Sequence, residues 1–140
     1  MIAPVIVDAG PLVAFLVKRD RYHGWVRQQF ARLTVSLISC EPALAEAAHV
    51  IRRAGGTLDF LFEAIRRRQL SCPFRLDEEA DAVKRLLDRY GDLPVSLADA
   101  CLVRMAELYD GSPVLTLDRD FSVYRKHGRQ IIPLITPTFS

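Results

Sequence analysis

Four of the seventeen acidic residues in this chain stand out because each one ends or interrupts an apolar segment: Asp8, Glu46, Asp99 and Asp118. Carboxylates brought close together repel one another and stay partly protonated unless a cation neutralises them. Hard oxygen ligands of this kind select Mg²⁺ or Mn²⁺, and two such ions ~4 Å apart activate water and stabilise the leaving oxygen in phosphodiester hydrolysis. We therefore predict the four acids to be both metal ligands and catalytic residues.

The elements that would position these acids follow from the hydrophobic pattern. Short apolar segments rich in β-branched residues predict strands over 5–7, 35–38, 114–117 and 131–135, with a further extended segment at 71–76. Helical patterns predict helices over 11–16, 22–33, 43–53, 58–65, 77–87, 96–108 and 121–126. This alternation predicts an α/β fold, a three-layer sandwich whose central parallel sheet is flanked by helices, in a single domain spanning residues 1–140.

A parallel sheet would direct the four acids to one edge. Asp8 and Asp118 each follow a predicted strand, and the carboxyl ends of parallel strands share an edge. The helices that link such strands run antiparallel to them, so their first turns lie at that edge too. Glu46 and Asp99 lie in the first two turns of predicted helices. Ligands bind at this edge in open α/β sheets.

Each acid also has a structural explanation. Asp8 is a candidate turn or cap residue before Pro11, and Asp99 follows Ser96 at capping-box spacing. Asp118 is a candidate loop acid. Apolar residues surround both Asp99 and Glu46, however, and an ionised carboxylate buried among them needs a partner. The joint placement of the four acids favours a functional site.

Four segments together resemble a known family: VDAGPLVAFLVKRDRYH, LISCEPALAEAAHVI, YGDLPVSLADACLVRMAE and VLTLDRDFSVYR. In this order and spacing they resemble the PIN-domain nucleases, particularly VapC-type toxins of toxin–antitoxin pairs, over nearly the whole chain. The acids of the family fall on the same four positions, and Thr116 occupies its small hydroxyl position. Gly10 stands where many relatives have serine, so one possible supporting hydroxyl is absent.

The resemblance implies a Mg²⁺- or Mn²⁺-dependent endoribonuclease, the toxin of a type II toxin–antitoxin system. Such proteins are often homodimers, and a cognate antitoxin holds them inactive. The apolar stripe of Leu61, Phe62 and Ile65 is either core, a dimer surface or an antitoxin surface.

Other polar residues are weaker candidates for function. Asp120 is a possible supporting acid, although a helix cap before Phe121 is the favoured interpretation. Arg52 and Arg53, with the run at 66–68, are candidates for contacts with RNA phosphates, but solvated helix ends are favoured. His49 is interpreted as an ordinary packed or surface histidine.

Composition excludes several classes of protein. The net charge of +2 and the 50% of apolar residues match a globular domain without a basic tail. The three cysteines form no CxxC pair and are interpreted as small buried hydrophobes, which suits a reducing cytoplasm. The apolar run from Ile2 to Val17 is interrupted by Asp8 and is shorter than the ~20 residues of a spanning helix, so no membrane association is expected.

Two other functions compete with catalysis by metal ions. One is a non-catalytic PIN-fold module that binds RNA or a protein partner, which the complete set of acids argues against. The other is a phosphatase with Asp8 as nucleophile. That alternative is disfavoured because Gly10 stands where such enzymes carry a second acid.

Overall fold

The computed structural model of the protein describes residues 3–139. The predicted single domain spans 1–140, and its residues 1, 2 and 140 lie outside this described part. The predicted N-terminal apolar run begins at Ile2, which therefore also lies outside it. The helices are α1 (Ala9–Leu16), α2 (His23–Arg32), α3 (Glu41–Arg53), α4 (Asp59–Arg66), α5 (Leu76–Arg89) and α6 (Leu97–Leu108). The strands are β1 (Val5–Val7), β2 (Leu37–Ile38), β3 (Leu70–Ser71), β4 (Val114–Leu115), β5 (Arg125–Lys126), β6 (Gln130–Ile131) and β7 (Leu134–Ile135).

A five-stranded sheet in the order β3-β2-β1-β4-β7 forms the centre of the molecule. Its strands pair in parallel, with Ile6 opposite Ile38 on one side and opposite Val114 on the other. The backbone N–H of Asp8 donates to the carbonyl of Leu115 at 3.0 Å, so the pairing of β1 with β4 extends to the acid. The predicted α/β fold with a central parallel sheet is confirmed.

Side chains of β1 alternate between two hydrophobic cores because successive residues of a strand point to opposite faces. Ile6 packs in the core that includes most of α6 and part of α5. Val5 and Val7 pack in the other core, with residues of α1, α3 and α4. Burial on both faces explains why the strand is uniformly apolar, and it places helices on both sides of the sheet.

The C-terminal segment differs from its prediction. The expected helix over 121–126 is absent: a 3₁₀ turn covers Arg119–Ser122, and β5 then pairs antiparallel with β6. The chain reverses through His127 and Gly128, which have φ angles of 52° and 82°. The spacing of Phe121 and Tyr124 imitates an α-helix, but Phe121 lies in the 3₁₀ turn and Tyr124 follows it, and both side chains are buried in the core.

The predicted last strand over 131–135 is divided. Ile131 belongs to the β5–β6 ribbon, whereas β7 begins at Leu134 and joins the central sheet. Pro133 separates the two because proline has no N–H for a strand ladder, and its carbonyl accepts the N–H of Val114 at 2.9 Å. Of the segment expected to be extended at 71–76, only Ser71 lies in a strand, since β3 ends there, and Leu76 already begins α5.

All three cysteines are free thiols; Cys40 and Cys101 are buried, as predicted, and Cys72 is half-buried. Within residues 3–139, no helix is both long enough and apolar enough to cross a bilayer.

Candidate active site

Asp8 ends β1 and begins α1. Its Oδ1 accepts the backbone N–H of Ala9 at 2.7 Å, and its Oδ2 accepts the hydroxyl of Thr116 at 2.8 Å. The residue is 6% exposed. Burial raises the pKa of the Asp8 carboxyl from 3.8 to about 6; the two hydrogen bonds oppose this rise, and the nearby carboxylates of Asp99 and Asp118 add to it. The structural role suggested by sequence, a helix cap, is therefore real, and the same carboxylate is poorly solvated.

Thr116 joins Asp8 to the loop that carries Asp118. Its buried hydroxyl donates to Asp8 and accepts the backbone N–H of Asp118 at 2.9 Å. The side chain of Asp118 then caps the 3₁₀ turn, because its Oδ1 accepts the backbone N–H of Asp120 at 2.9 Å. One hydroxyl thus fixes the acid after β1 relative to the acid after β4.

Asp99 forms a capping box with Ser96 at the start of α6. The Asp99 N–H donates to the Ser96 hydroxyl at 3.0 Å, and the Ser96 N–H donates to Asp99 Oδ2 at 3.2 Å. The residue is only 7% exposed. Burial raises the pKa of the Asp99 carboxyl, and the Asp118 carboxylate adds to this effect. Asp99 is therefore a cap and also a destabilised anion, so the two interpretations weighed from sequence both apply.

Glu46 is exposed on α3, contrary to the expectation that its apolar neighbours would bury it. The small side chains around it are divided by the helix: Ala43 and Ala47 face the core, whereas Glu46 faces outward. Partial burial, followed by the carboxylates of Asp99 and Asp118, raises the pKa of Glu46. The acid is thus near the other carboxylates without being packed among apolar residues.

The structure places all four predicted acids along one pocket of about 410 Å³. The acids come from the end of β1, from α3, from α6 and from the loop after β4. The rest of the pocket lining consists of Ala9, Gly10, Pro94, Ser96 and Leu117. The convergence expected at the carboxyl edge of the sheet is therefore observed.

Within residues 3–139, no ion pair reaches any of these four acids. In the same part of the chain, no three histidine, cysteine, aspartate or glutamate side chains stand close enough together to hold a metal ion as they are placed. The pocket thus has the hard oxygen donors that Mg²⁺ and Mn²⁺ require, at a spacing wider than direct coordination by three of them. Donor chemistry fits such an ion; the side-chain positions would have to close around it.

The weaker candidates lie elsewhere. Asp120 does not line the pocket, and its predicted role as a helix cap is wrong because Asp118 performs it. Arg52 and Arg53 lie in the last turn of α3 and line a separate shallow concavity with His49.

Tyr124 is a residue at this site that sequence reasoning missed. It is fully buried, and its hydroxyl donates to Asp99 Oδ2 at 3.3 Å. Burial and the carboxylates of Asp99 and Asp120 raise the pKa of Tyr124, so its hydroxyl remains a donor. No local pattern in the sequence indicates where a buried tyrosine hydroxyl points.

Comparison with known proteins bears on most of the chain. The sequence model of the PIN domain matches residues 5–127, a range that contains all four acids, Thr116 and Tyr124. No curated protein matches the chain. Proteins with this domain are generally nucleases, and these nucleases typically use divalent metals.

Proposed function

The chain belongs to the PIN domain family, and we propose that it is a Mg²⁺- or Mn²⁺-dependent endoribonuclease that hydrolyses RNA phosphodiester bonds. One observation carries this proposal: four carboxylates from four separate elements line one pocket, and no ion pair within residues 3–139 neutralises them. Leaving the buried carboxylates of Asp8 and Asp99 without a counter-ion is costly, so the arrangement is best explained by a cation that arrives from outside the protein.

Asp8 and Asp99 would hold the metal ion, with Glu46 beside them and Asp118 binding directly or through water. Asp8 and Asp99 are held by hydrogen bonds, whereas the exposed Glu46 side chain makes no hydrogen bond within the described residues and is free to rotate towards the pocket. The bound ion would polarise the phosphate and lower the pKa of a coordinated water.

The chain itself supplies position and charge. Thr116 keeps Asp8 and the Asp118 loop in register, and the capping box keeps Asp99 at the pocket wall. In the proposed hydrolysis, the oxygen of water bonds to phosphorus as water gives up a proton to solvent, the bond from phosphorus to the leaving ribose oxygen breaks, and that oxygen takes up a proton from solvent. The protein residues bind and orient the reactants, and no histidine or lysine of residues 3–139 lines the pocket.

The first test removes the acids one at a time. We expect Asp8→Asn and Asp99→Asn to stay folded and to lose Mn²⁺-dependent RNA cleavage by at least about 100-fold, because each loss removes several kcal/mol of charge stabilisation. Asp81→Asn, which changes an exposed acid of α5 away from the pocket, is the matched control and should keep full activity. Full cleavage by both pocket variants, in preparations free of contaminating nuclease, would refute the proposal.

The competing function is a non-catalytic PIN-fold module that binds RNA or a protein. The observation that favours it is the wide spacing of the acids, since no three of them within residues 3–139 are placed to hold an ion. A calorimetric titration separates the two: binding of Mn²⁺ at millimolar concentration or below supports the nuclease, and absence of both binding and cleavage supports the module.

We further propose that the protein is the toxin of a type II toxin–antitoxin system. In support, an apolar cavity of about 450 Å³ opens between α1, α2 and α4, large enough for side chains of an antitoxin. Leu61 is buried, whereas Phe60 and Phe62 are more than half exposed, so the α4 stripe is divided between core and surface. Induced expression of the wild type should arrest growth and Asp99→Asn should not; arrest by both would contradict a toxin acting by cleavage.

The remaining features of the proposal concern the oligomeric state, the cellular location and the contacts with RNA. Light scattering should show a homodimer, and the protein should fractionate with the cytoplasm. Replacing Arg52 and Arg53 by alanine separates the two interpretations of these residues. Contacts with RNA phosphates predict a raised KM for RNA with reduced salt dependence, because fewer phosphate contacts release fewer counterions, whereas solvated helix ends predict an unchanged KM. Arg85→Ala, on α5, is the control for nonspecific charge loss. An unchanged KM in the double variant would exclude these arginines from RNA binding.

A further inference from the structure

Tyr124 is held in place by aromatic packing as well as by its hydroxyl. Its ring centroid lies 5.1 Å from that of Tyr90 and 5.1 Å from that of Phe121, in tilted and edge-to-face arrangements. The residue follows the 3₁₀ turn and is completely buried. Such packing leaves the phenol ring few alternative orientations, so the direction of its hydroxyl is set by the fold.

The hydrogen bonds to the Asp99 carboxylate are unevenly divided between its two oxygens. Within residues 3–139, both donors, the Ser96 N–H at 3.2 Å and the Tyr124 hydroxyl at 3.3 Å, reach Oδ2. No donor in that part of the chain reaches Oδ1 of the same carboxylate, and Asp99 is one of the residues that line the acidic pocket. One oxygen is therefore tied to the protein, and the other is left for a ligand.

We propose that Tyr124 is a positioning residue that holds Asp99 with Oδ1 available to a divalent cation. This inference rests on the proposed function. Ser96 alone can hold the carboxylate by a backbone N–H, but one donor permits rotation about the Cβ–Cγ bond. Two donors on the same oxygen, one from α6 and one from the segment after β4, restrict that rotation.

The expected effect is on metal affinity rather than on the chemical step. Groups that hydrogen-bond a metal-binding side chain from behind typically change metal affinity or activity by about 10–100-fold when they are removed. The distance of 3.3 Å is long for a bond between a hydroxyl and a carboxylate, so the lower end of this range applies.

The experiment compares two tyrosines of the same aromatic cluster. Tyr124→Phe removes only the hydroxyl that contacts Asp99. Tyr90→Phe removes a hydroxyl that accepts the Arg125 N–H at 2.8 Å and makes no hydrogen bond to the acids. Calorimetric titration with Mn²⁺ should give a Kd raised about 10-fold for Tyr124→Phe and within twofold of wild type for Tyr90→Phe.

Kinetics give a second readout. The Mn²⁺ concentration for half-maximal cleavage should rise in Tyr124→Phe by the same factor as its Kd, while kcat at saturating Mn²⁺ and the KM for RNA stay near the wild-type values. A purely structural tyrosine would instead lower the melting temperature and leave the Kd for Mn²⁺ unchanged, which would overturn the proposal.

Phe121→Leu separates packing from hydrogen bonding, and it also serves if Tyr124→Phe folds poorly. It loosens the same cluster but keeps the Tyr124 hydroxyl, so we expect a Kd for Mn²⁺ near the wild-type value. A loss of affinity as large as that of Tyr124→Phe would assign the effect to packing and overturn the inference.

If the wild type neither binds Mn²⁺ nor cleaves RNA, both proposals fail. If the wild type does both and Tyr124→Phe has an unchanged Kd, only this inference fails.

Discussion

The two ends of α6 carry acids in opposite electrostatic surroundings. Near the C-terminal end, Glu107 contacts the Arg104 guanidinium at 3.0 Å, and Asp110, just beyond the helix, contacts Lys126 at 2.8 Å. At the N-terminal end, Asp99 lies near other carboxylates, and no ion pair within residues 3–139 reaches it. The acids at the first end are neutralised by basic side chains, whereas Asp99 at the second end has no such partner in the described part of the chain.

The helix dipole explains why the unpaired acids are at that end. Negative charge is favoured near a helix N-terminus by about 0.3–1 kcal/mol and disfavoured near a C-terminus. Asp99 lies in the first turn of α6, and Asp8 caps α1, so both acids have partial compensation without a cation. Glu107 lies in the last turn and needs Arg104. Helix N-termini therefore allow the pocket to stay acidic at a tolerable cost in stability.

The largest expected change in stability comes from removing the buried charge of Asp8. A pKa raised from 3.8 to about 6 corresponds to about 3 kcal/mol. Because the folded state favours the protonated form, this contribution to stability is present in acid and is lost as the pH rises through about 6. In the metal-free protein, Asp8→Asn should therefore increase the free energy of unfolding at pH 8 by up to about 3 kcal/mol.

Urea denaturation in the presence of a chelator measures this change, and the advantage of Asp8→Asn should shrink between pH 8 and pH 5. Asp110→Asn is the matched control at the neutralised end, where Lys126 lowers the pKa of Asp110. It should not stabilise the protein at pH 8. Equal responses of the two variants would remove the contrast between the ends of α6.

Binding of the metal ion should offset the destabilisation caused by the unpaired carboxylates. At 100 times its Kd, a ligand that binds only the folded state contributes about 2.7 kcal/mol. Mn²⁺ should therefore raise the melting temperature of the wild type and leave that of Asp99→Asn nearly unchanged, as measured by calorimetry. An equal rise in both proteins would place the ion outside the acidic pocket.

A smaller change in stability is expected when an ion pair near the C-terminal end of α6 is removed. Glu107 is largely buried, contacts Arg104 and accepts the His127 N–H at 2.7 Å. Glu107→Gln should lower the free energy of unfolding by roughly 1–2 kcal/mol, because hydrogen bonds to a charged group are lost or weakened. RNA cleavage at saturating Mn²⁺ should be unchanged. A loss of cleavage with an intact fold would show that this end also contributes to function.

The smallest effect should come from an ion pair that is fully on the surface. Lys84 and Asp88 form an i, i+4 pair on α5, and both side chains are largely exposed. Lys84→Gln should change the free energy of unfolding by less than about 0.5 kcal/mol, since water and salt screen such pairs. Chemical denaturation measures this change. A loss of stability as large as that of Glu107→Gln would show that burial does not set how much an acid on these helices contributes to stability.

Much of the fold was predictable because its elements are marked locally. The β-branched run at 5–7 is β1 with the predicted bounds, and Ser96 begins α6 through the predicted capping box. The β5–β6 ribbon was not predictable, because Phe121 and Tyr124 have helical spacing and only contacts with the core choose another backbone. The prediction that Glu46 is buried was wrong for a related reason: neighbouring residues in sequence do not determine which face of a helix is covered.

The sequence by itself determined the parallel α/β order and the four acids at strand and helix ends, because hydrophobic periodicity and capping depend on neighbouring residues. Only the tertiary structure decided that these acids share one pocket with no ion pair to residues 3–139, that Thr116 bridges two of them, and that Tyr124 donates to Asp99. Those relations join residues distant in the chain: 108 positions separate Thr116 from Asp8, and 25 separate Tyr124 from Asp99. Strand register and core packing bring them together, and no local pattern encodes that distance.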